Sequence, residues 1–389
     1  MNIANQNRLT MMKRCWLLEG EFRNMNKTLK AISLFSGAGG MDIGVKQAGF
    51  NVIASVDNDP YCCQTLRANI KRQKENTKVI ESDIRDINLN AMMNGLGITP
   101  GEIDLLFGGP PCQAFSQIGK QQSLEDERGL LLFQMIRFAK ILNPKAVLIE
   151  QVRGLLSAKD RNGKLGSVLN GLLKDLERLD YVAKWQLINA ADYGVPQLRK
   201  RIFIVATKKL NGFEFPEPTH CQQNEQQTSL FTLPHYTKVG EVIWGLGFPA
   251  AKSEEREDSH IDVTPDGDRN RIKGVPEGAY LAAQTHLPTE QRGQLTQKDT
   301  TKFLRLSRYK PANTLRCGEI FFHPIENRYL TPREYMKIQG FPDDYILKGA
   351  IRGRSGKVRF LDQHRQVANS VPPPVAKILA QEIKRTSKF

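Results

Sequence analysis

The chain has 389 residues, of which 40% are hydrophobic and 25% charged, so we expect a soluble protein of two or three domains and exclude a disordered or collagen-like chain. Its 56 Lys and Arg outnumber 41 Asp and Glu, and the net charge of +15 favours a polyanionic partner. No apolar run approaches the roughly 18 residues of a membrane span, and the first residues lack a signal-peptide core.

Residues 1–29 are polar and are interpreted as an N-terminal extension. From Lys30 onward, short runs rich in β-branched residues alternate with segments that have apolar residues at helical spacing, such as 131–142 and 168–179. This alternation predicts an open α/β sheet. The runs have turn formers at both ends, which is typical of buried parallel strands. They are 31–35, 51–56, 103–107, 146–149 and 202–206.

The alternating pattern stops near residue 210, where Gly, Pro, Thr and charged residues become frequent. We therefore predict a catalytic domain over 30–209, completed by 361–389, and a second, smaller domain over 210–360. Prolines that open a helix predict a final helix near 371–379. Residues 301–389 hold 18 Lys and Arg against 7 Asp and Glu, so the surface that faces a polyanion should include this region.

A glycine-rich turn over residues 35–42 follows the first predicted strand and precedes a helix. Glycines at Gly37 and Gly39 let the backbone approach a ligand closely. Asp57 lies 20 residues after Gly37, a spacing at which an acid commonly holds ribose hydroxyls. Asp42 stands where a dinucleotide-binding loop has its third glycine, and a carboxylate there should repel a pyrophosphate. The loop therefore favours a nucleoside cofactor without phosphates and disfavours a dinucleotide oxidoreductase.

Asp83 follows the predicted third strand, where it either accepts a hydrogen bond from an adenine amino group or caps the next helix. Both alternatives stay open at this point.

The six cysteines are too few for a disulfide framework, and none forms a C-x-x-C pair or lies at zinc-finger spacing from histidine. We expect free thiols in a reducing compartment. Cys112 follows Gly-Gly-Pro-Pro at the end of a strand, where ligands bind in open α/β sheets, and is a candidate nucleophile. The others are expected to be small buried hydrophobic residues. They are Cys15, Cys62, Cys63, Cys221 and Cys317.

Glu150 ends another predicted strand. A carboxyl group there can act as a general acid, or it can cap a helix.

Six motifs occur in a fixed order, and together they resemble those of the DNA (cytosine-5-)-methyltransferases of bacterial restriction–modification systems. The resemblance covers the chain from Lys30 to the C-terminus, except for about 210–327. The motifs are 35–40, 110–116, 150–152, 197–201, 328–334 and 366–373.

The resemblance implies a Rossmann-like S-adenosylmethionine-dependent methyltransferase sheet with a target-recognition domain. It implies methyl transfer to C5 of a cytosine flipped out of a specific double-stranded DNA sequence, through a covalent bond between Cys112 and C6, without a metal. Glu150 would be the acid, and Arg199 and Arg201 would grip the cytosine or the catalytic loop, roughly 113–129. S-adenosylmethionine would be held by Phe35, Gly37, Gly39, Asp57, Asn58, Asp83, Asn369 and Val371.

The resemblance further implies a bacterial cytoplasmic enzyme that acts on DNA at the nucleoid as a monomer, and whose product is protected from a cognate restriction endonuclease. Two residues depart from the family pattern. Gln151 replaces the usual asparagine after the catalytic glutamate, and Ala368 replaces a glycine. The extra methylene of Gln151 leaves open how this amide orients Glu150 or Cys112.

Two alternatives remain. One is a cytosine-5 methyltransferase that acts on tRNA, and the long variable segment 210–327 favours a DNA reader over it. The other is a catalytically inactive DNA-binding regulator, which intact Cys112 and Glu150 argue against. Several basic residues are candidates for groove contacts within the variable segment. They are Arg269, Arg271, Lys273, Arg305 and Arg308.

Overall fold

A computed structural model describes most of the chain, including Glu150 and every predicted donor-binding residue. Cys15, Cys112 and the predicted loop 113–129 lie outside the described residues. The described residues are 28–111, 130–158, 166–208, 212–222, 233–284, 288, 290, 300–351 and 360–387.

The centre of the protein is a seven-stranded sheet with the strand order β3-β2-β1-β4-β5-β8-β6. The predicted open α/β sheet is therefore confirmed. β1 pairs in parallel with β2 and β4, and the parallel pairing extends to β3 and β5. The strands are β1 (Leu29–Leu34), β2 (Phe50–Asp57), β3 (Lys78–Glu81), β4 (Leu105–Gly108), β5 (Ala146–Val152), β6 (Val182–Asn189) and β8 (Lys200–Thr207).

β8 runs antiparallel to both β5 and β6, so the expectation of a parallel strand at 202–206 is wrong. The connection between β6 and β8 covers only residues 190–199, whereas a parallel pairing needs a crossover of a dozen or more residues. β6 was not predicted from the sequence. Its Val182 and Trp185 are 41% and 42% exposed at the sheet edge, so its apolar pattern is weak.

Helices cover both faces of the sheet and bury two separate apolar cores. One core lies under the helices α3 (Leu89–Leu96), α4 (Leu130–Leu142) and α5 (Ser167–Arg178). The other lies under α1 (Gly40–Gln47) and the C-terminal helix α10 (Pro373–Ser387). α2 (Pro60–Gln73) follows β2, and Asp59 caps its first turn.

Helices α1 and α10 pack so closely that a glycine is required between them. A Cβ at Gly44 would lie 2.4 Å from the Pro373 carbonyl oxygen and 2.6 Å from the Ala376 Cβ. Residues at the far end of the sequence thereby complete the layer that supports the first glycine-rich turn.

Residues 233–351 form short two-stranded sheets and short helices around smaller cores. β7 (Gln197–Leu198) pairs with β12 (Ala312–Asn313), which joins this region to the segment that leads directly into β8. The other elements of this region are α6 (Val239–Ile243), β9 (Ala250–Ala251), β10 (Ile261–Asp262), α7 (Asp266–Ile272), β11 (Phe303–Arg305), β13 (Ile320–Phe322) and α8 (Pro332–Gln339). Helix α9 (Gln363–Asn369) follows this region and precedes α10.

One apolar core contains residues from both sides of the predicted domain boundary at 360. Ala38 of the glycine-rich turn and Ile43 of helix α1 share it with Tyr335, Phe341 and Val367. The domain boundaries themselves stay predictions. None of the helices within the described ranges combines the length and the apolar character that a bilayer span requires.

Arg305 does not contact DNA in the way we predicted, because its side chain is only 4% exposed. Its guanidinium donates hydrogen bonds to the carbonyl oxygens of Ile272 and of residues 323–326. It therefore organises the interior of the second region. Arg308 is instead paired with Glu277, and Arg269 with Asp262.

Candidate active site

The glycine-rich turn between β1 and α1 has an unusual backbone. Phe35, Gly37 and Gly39 all have left-handed φ angles, of 54°, 54° and 78°. A left-handed φ at a residue with a side chain such as Phe35 costs about 1–3 kcal/mol and persists where the surroundings impose it, often at ligand sites. Among the described residues, apart from its chain neighbours, none has an atom within 4 Å of the place where a Cβ of Gly37 would stand, so the turn borders open space.

Asp57 lies at the end of β2 and holds this turn in place. The Gly37 N–H donates to Asp57 Oδ2 at 2.7 Å, and the Asp59 N–H donates to Oδ1 at 2.8 Å. Burial raises the pKa of Asp57 to about 6, although these two hydrogen bonds oppose the shift. Asn58 is exposed beside it. The structure thus brings together four predicted residues: Phe35, Gly37, Asp57 and Asn58.

Asp42 does not face the turn, so the argument that its carboxylate repels a pyrophosphate is wrong. The side chain is 2% exposed and lies beneath α1, where it accepts hydrogen bonds from the hydroxyls of Ser33 at 2.8 Å and Ser55 at 2.5 Å. Burial raises the pKa of Asp42. Asp42 therefore ties α1 to strands β1 and β2, and it supplies no selection against phosphates.

The turn that follows α9 approaches the glycine-rich turn from the C-terminal side. A Cβ at Gly40 would lie 2.3 Å from the Val371 carbonyl oxygen and 2.9 Å from the Ser370 Cβ. Asn369 is exposed next to them. We name residues 369–371 the closing turn. The predicted residues Asn369 and Val371 therefore lie in one short segment that presses on the first turn.

Two residues that sequence reasoning missed also border this place. The Tyr345 hydroxyl donates to the Ala38 carbonyl oxygen at 2.7 Å. The Cys317 thiol donates to Asn369 Oδ1 at 2.9 Å, and Cys317 is exposed. The expectation that Cys317 is buried is therefore wrong, whereas Cys62, Cys63 and Cys221 are buried as expected. No local sequence signal marks either contact, because each joins residues more than 50 positions apart.

Asp83 caps the short 3-10 helix Ile84–Asp86, since its carboxylate accepts from the Arg85 N–H at 2.9 Å. The Arg85 guanidinium also pairs with both carboxylate oxygens, at 3.0 and 2.7 Å. These bonds lower the pKa of Asp83. The structure thus shows the capping alternative, and the adenine contact stays a prediction.

Glu150 lies near the carboxyl end of β5, with 8% of its surface exposed. Its Oε1 is 3.1 Å from the Arg201 Nε. A Cβ at Gly109 would lie 3.2 Å from Glu150 Oε2, so this carboxylate borders the Gly-Gly-Pro-Pro segment that leads to Cys112. A carboxylate, a guanidinium and a glycine-proline turn therefore meet at adjacent strand ends.

The extra methylene of Gln151 does not prevent its amide from reaching that same segment. Gln151 is 1% exposed, and its Nε2 donates to the Pro110 carbonyl oxygen at 2.7 Å. Among the described residues its Oε1 has no hydrogen-bond partner. The amide thus fixes the backbone two residues before Cys112.

Arg199 has contacts of a different kind from Arg201. It is 2% exposed, and its Nη1 donates to the carbonyl oxygens of Leu315 at 3.3 Å and Ala368 at 3.0 Å. Burial lowers its pKa to about 9. In the described structure Arg199 therefore joins β7 and β8 to the segment before the closing turn. Only Arg201 of the two contacts Glu150.

Known proteins resemble this chain along most of its length. The sequence profile of the C-5 cytosine-specific DNA methylases matches residues 29–385. The Type II methyltransferase M.AquIA of Picosynechococcus sp. is 41% identical over 225 residues, covering 55% of this chain and 87% of that protein. M.NgoFVII of Neisseria gonorrhoeae is 32% identical over 376 residues, covering 94% of this chain and 90% of the relative.

Solved structures agree in fold. A DNA modification methyltransferase encoded within an E. coli prophage superposes with a TM-score of 0.67 at 22% identity, covering 92% of this chain and 99% of the other. The Entamoeba histolytica methyltransferase EhMeth gives a TM-score of 0.57 at 18% identity, with coverage of 92% and 99%. The fold is thus the predicted Rossmann-like methyltransferase fold. From its profile match and its relatives, this chain belongs to the C-5 cytosine-specific DNA methylases and is a DNA methyltransferase of the restriction–modification type.

Proposed function

We propose that the enzyme methylates C5 of a cytosine flipped out of a specific double-stranded DNA sequence, with Cys112 as nucleophile and Glu150 as the acid. The observation that carries the proposal is the meeting of Glu150, Arg201 and the Gly109–Pro110 backbone at adjacent strand ends. Cys112 follows Pro111 directly in the sequence, and we propose its thiol as the group that attacks the base beside that carboxylate.

The family implies S-adenosylmethionine as methyl donor, and the residues at the glycine-rich turn fit a nucleoside. Gly37 borders open space, and the neighbouring Phe35 has a left-handed φ of 54°. Asp57 would accept hydrogen bonds from ribose hydroxyls, and Asn58 lies beside it. Asn369 and Val371 would close the pocket. The donor supplies an electrophilic sulfonium methyl group.

Cytosine C5 is a poor nucleophile within an aromatic ring, and the protein must supply the missing reactivity. A Cys112 thiolate that adds to C6 turns the ring into an enamine-like species whose C5 can attack a methyl group. Cysteine suits this step because its thiolate is intrinsically nucleophilic. The transfer leaves the donor as S-adenosylhomocysteine; the C5 proton then passes to solvent and the C6–S bond breaks, which expels the thiolate and yields 5-methylcytosine.

Glu150 and Arg201 would respond to the charge that develops on the ring. Addition at C6 places negative charge on N3, and a proton or hydrogen bond from Glu150 at N3 lowers the barrier. Arg201, 3.1 Å from the same carboxylate, holds Glu150 in one orientation and offers its remaining N–H groups to the base. Arg199 is a positioning residue in this proposal, because its guanidinium is occupied by backbone carbonyls.

The excess of positive charge near the C-terminus supports duplex DNA as the substrate. Extruding a base from the stack costs a few kcal/mol, which phosphate contacts can offset. The excess of 18 basic over 7 acidic residues in 301–389 supplies such contacts. A cleft of about 1460 Å³ is lined in part by Cys317 and Arg365, and the Cys317 thiol contacts Asn369 of the closing turn. We propose that the enzyme acts as a monomer in the bacterial cytoplasm, on nucleoid DNA, and protects this DNA from a cognate endonuclease.

Bisulfite sequencing of plasmid DNA from cells that express the protein would identify the target site. An oligonucleotide duplex with 5-fluorocytosine at that site should then form an irreversible adduct with Cys112 when S-adenosylmethionine is present, because fluorine cannot leave as the C5 proton does. Mass spectrometry locates the adduct. Tritium transfer to tRNA rather than to duplex DNA, or no transfer at all, would reject the proposal.

A further inference from the structure

We propose that Gln339 is a positioning residue that links the closing turn to the strand carrying the catalytic arginine. Gln339 ends helix α8 and is 0% exposed. Neither the glycine-rich turn nor Glu150 is in hydrogen-bond contact with it. The inference rests on the proposed donor pocket and adds to it a residue that acts from a distance.

Gln339 and Gln197 form a directed chain of amides, which we name the amide relay. The Leu315 N–H donates to Gln197 Oε1 at 3.0 Å, Gln197 Nε2 donates to Gln339 Oε1, and Gln339 Nε2 donates to the Ser370 carbonyl oxygen. Both side chains are 0% exposed. A backbone N–H at one end and a backbone carbonyl at the other allow only one orientation of each amide.

One end of the amide relay determines where the closing turn lies. The Ser370 carbonyl accepts from Gln339, and the Ser370 Cβ and the Val371 carbonyl oxygen are the atoms that a Cβ at Gly40 would meet, at 2.9 and 2.3 Å. Gln339 therefore holds the segment that presses on the glycine-rich turn.

The other end of the amide relay, Gln197, determines where β8, the strand that carries Arg201, begins. Gln197 belongs to β7, which pairs with β12, and the Thr314 hydroxyl donates to the Leu198 carbonyl oxygen at 2.7 Å. Arg199 follows, and Arg201 lies two residues further, paired with Glu150. We therefore expect a displacement of the closing turn to reach Glu150 through the side-chain amides of Gln339 and Gln197, because a buried network of hydrogen bonds has few alternative arrangements.

Breaking the amide relay should weaken binding of the methyl donor. Without its partner the Ser370 carbonyl no longer fixes the closing turn, and the apparent Kd rises by the inverse of the fraction of molecules in the binding-competent form. We expect Gln339→Met, which keeps the side-chain length and removes the amide, to raise the Kd for S-adenosylhomocysteine about tenfold.

The experiment titrates full-length protein with S-adenosylhomocysteine in a calorimeter without DNA, using wild type, Gln339→Met, Gln197→Met and the double variant. Gln284→Met is the matched control, because Gln284 is also buried and donates to a backbone carbonyl, that of Arg271, within the second region. Circular dichroism verifies folding, and if Gln339→Met does not fold, Gln197→Met tests the same link.

We expect each single substitution to weaken binding of S-adenosylhomocysteine. The double variant should bind no more weakly than the weaker of the two single variants, and Gln284→Met should bind like wild type. Such non-additivity is expected of residues that act through the same hydrogen-bond network, here the amide relay. Unchanged binding in Gln339→Met, or effects of the two substitutions that multiply, would overturn the proposal. A wild-type protein that does not bind S-adenosylhomocysteine would instead reject the donor pocket itself.

Discussion

The Arg201 Nε lies 3.1 Å from Glu150 Oε1, and this contact crosses from β8 to β5. Val152 pairs with Arg201 and Glu150 with Phe203 in the antiparallel ladder, so the two charged side chains are diagonal neighbours on one face. An antiparallel β8 places this arginine at the end of β5 where the acid stands. The antiparallel direction of β8, which we did not predict, therefore brings Arg201 to Glu150.

Glu150→Gln should slow methyl transfer by about 100- to 10,000-fold, because the amide cannot donate a proton to N3 of the cytosine. Single-turnover tritium transfer to target DNA measures the loss. S-adenosylhomocysteine binding should not change. Glu177→Gln, an exposed site on α5, is the control and should retain full activity. A rate for Glu150→Gln close to wild type would contradict the role of acid.

Cys112→Ala should abolish methylation, because it removes the thiolate that is proposed to add to C6, while DNA binding and donor binding remain measurable. Electrophoretic mobility shifts and calorimetry follow the two bindings, and tritium transfer follows turnover. Cys221→Ala is a suitable control, because Cys221 is buried and its thiol contacts the Leu233 carbonyl oxygen and the His235 ring. Turnover that survives in Cys112→Ala would reject the nucleophile.

Gln151→Asn should keep activity within about tenfold of wild type, whereas Gln151→Leu should lose about 10- to 100-fold, because it leaves the buried Pro110 carbonyl oxygen without a donor. Comparing the two variants separates the effect of losing the amide group from the effect of shortening the side chain. Steady-state rates on target DNA decide between them. Equal losses in both variants would show that the longer amide is specifically required.

Gly40→Ala should weaken donor binding strongly, because the new Cβ would meet the Val371 carbonyl oxygen at 2.3 Å. Gly171→Ala is the matched control, since no neighbour lies within 4 Å of its Cβ position in helix α5. The control should stabilise the protein by about 0.5–1 kcal/mol and leave binding unchanged. Thermal melting and calorimetry measure both effects, and normal binding by Gly40→Ala would contradict the closing-turn arrangement.

Donor binding should weaken as the pH falls below about 6, the value to which burial raises the pKa of Asp57. The carboxylate accepts ribose hydroxyls best when ionised, so protonation at lower pH removes an acceptor, and the Kd should rise by up to about tenfold per pH unit. Asp83 stays ionised in this range, because Arg85 lowers its pKa.

Asp57→Asn supplies the control for this pH dependence, since an amide at that position does not titrate. Its Kd for S-adenosylhomocysteine should be higher than that of wild type at neutral pH. Between about pH 5 and 7 this Kd should not show the change that the titration of a single carboxyl group causes. A wild-type Kd that does not vary over the same interval would separate Asp57 from the ribose.

The sequence by itself determined the chemistry that the chain can perform. Short β-branched runs, a glycine-rich turn and the residue types at Cys112 and Glu150 depend on local pattern and motif order. The family profile confirms the family that these motifs indicated. Parallel strand ends meet at one edge, so the sequence also indicated where Asp57 and Glu150 lie.

Only the tertiary structure decided which partner each polar group takes. Asp42 turns inward to Ser33 and Ser55, Arg199 bonds backbone carbonyls, and Gln339 reaches Ser370. These contacts follow from the strand order and from the packing of the second region against the first. Some of these hydrogen bonds join residues more than a hundred positions apart. No local sequence pattern predicts such a contact, so only the folded chain reveals it.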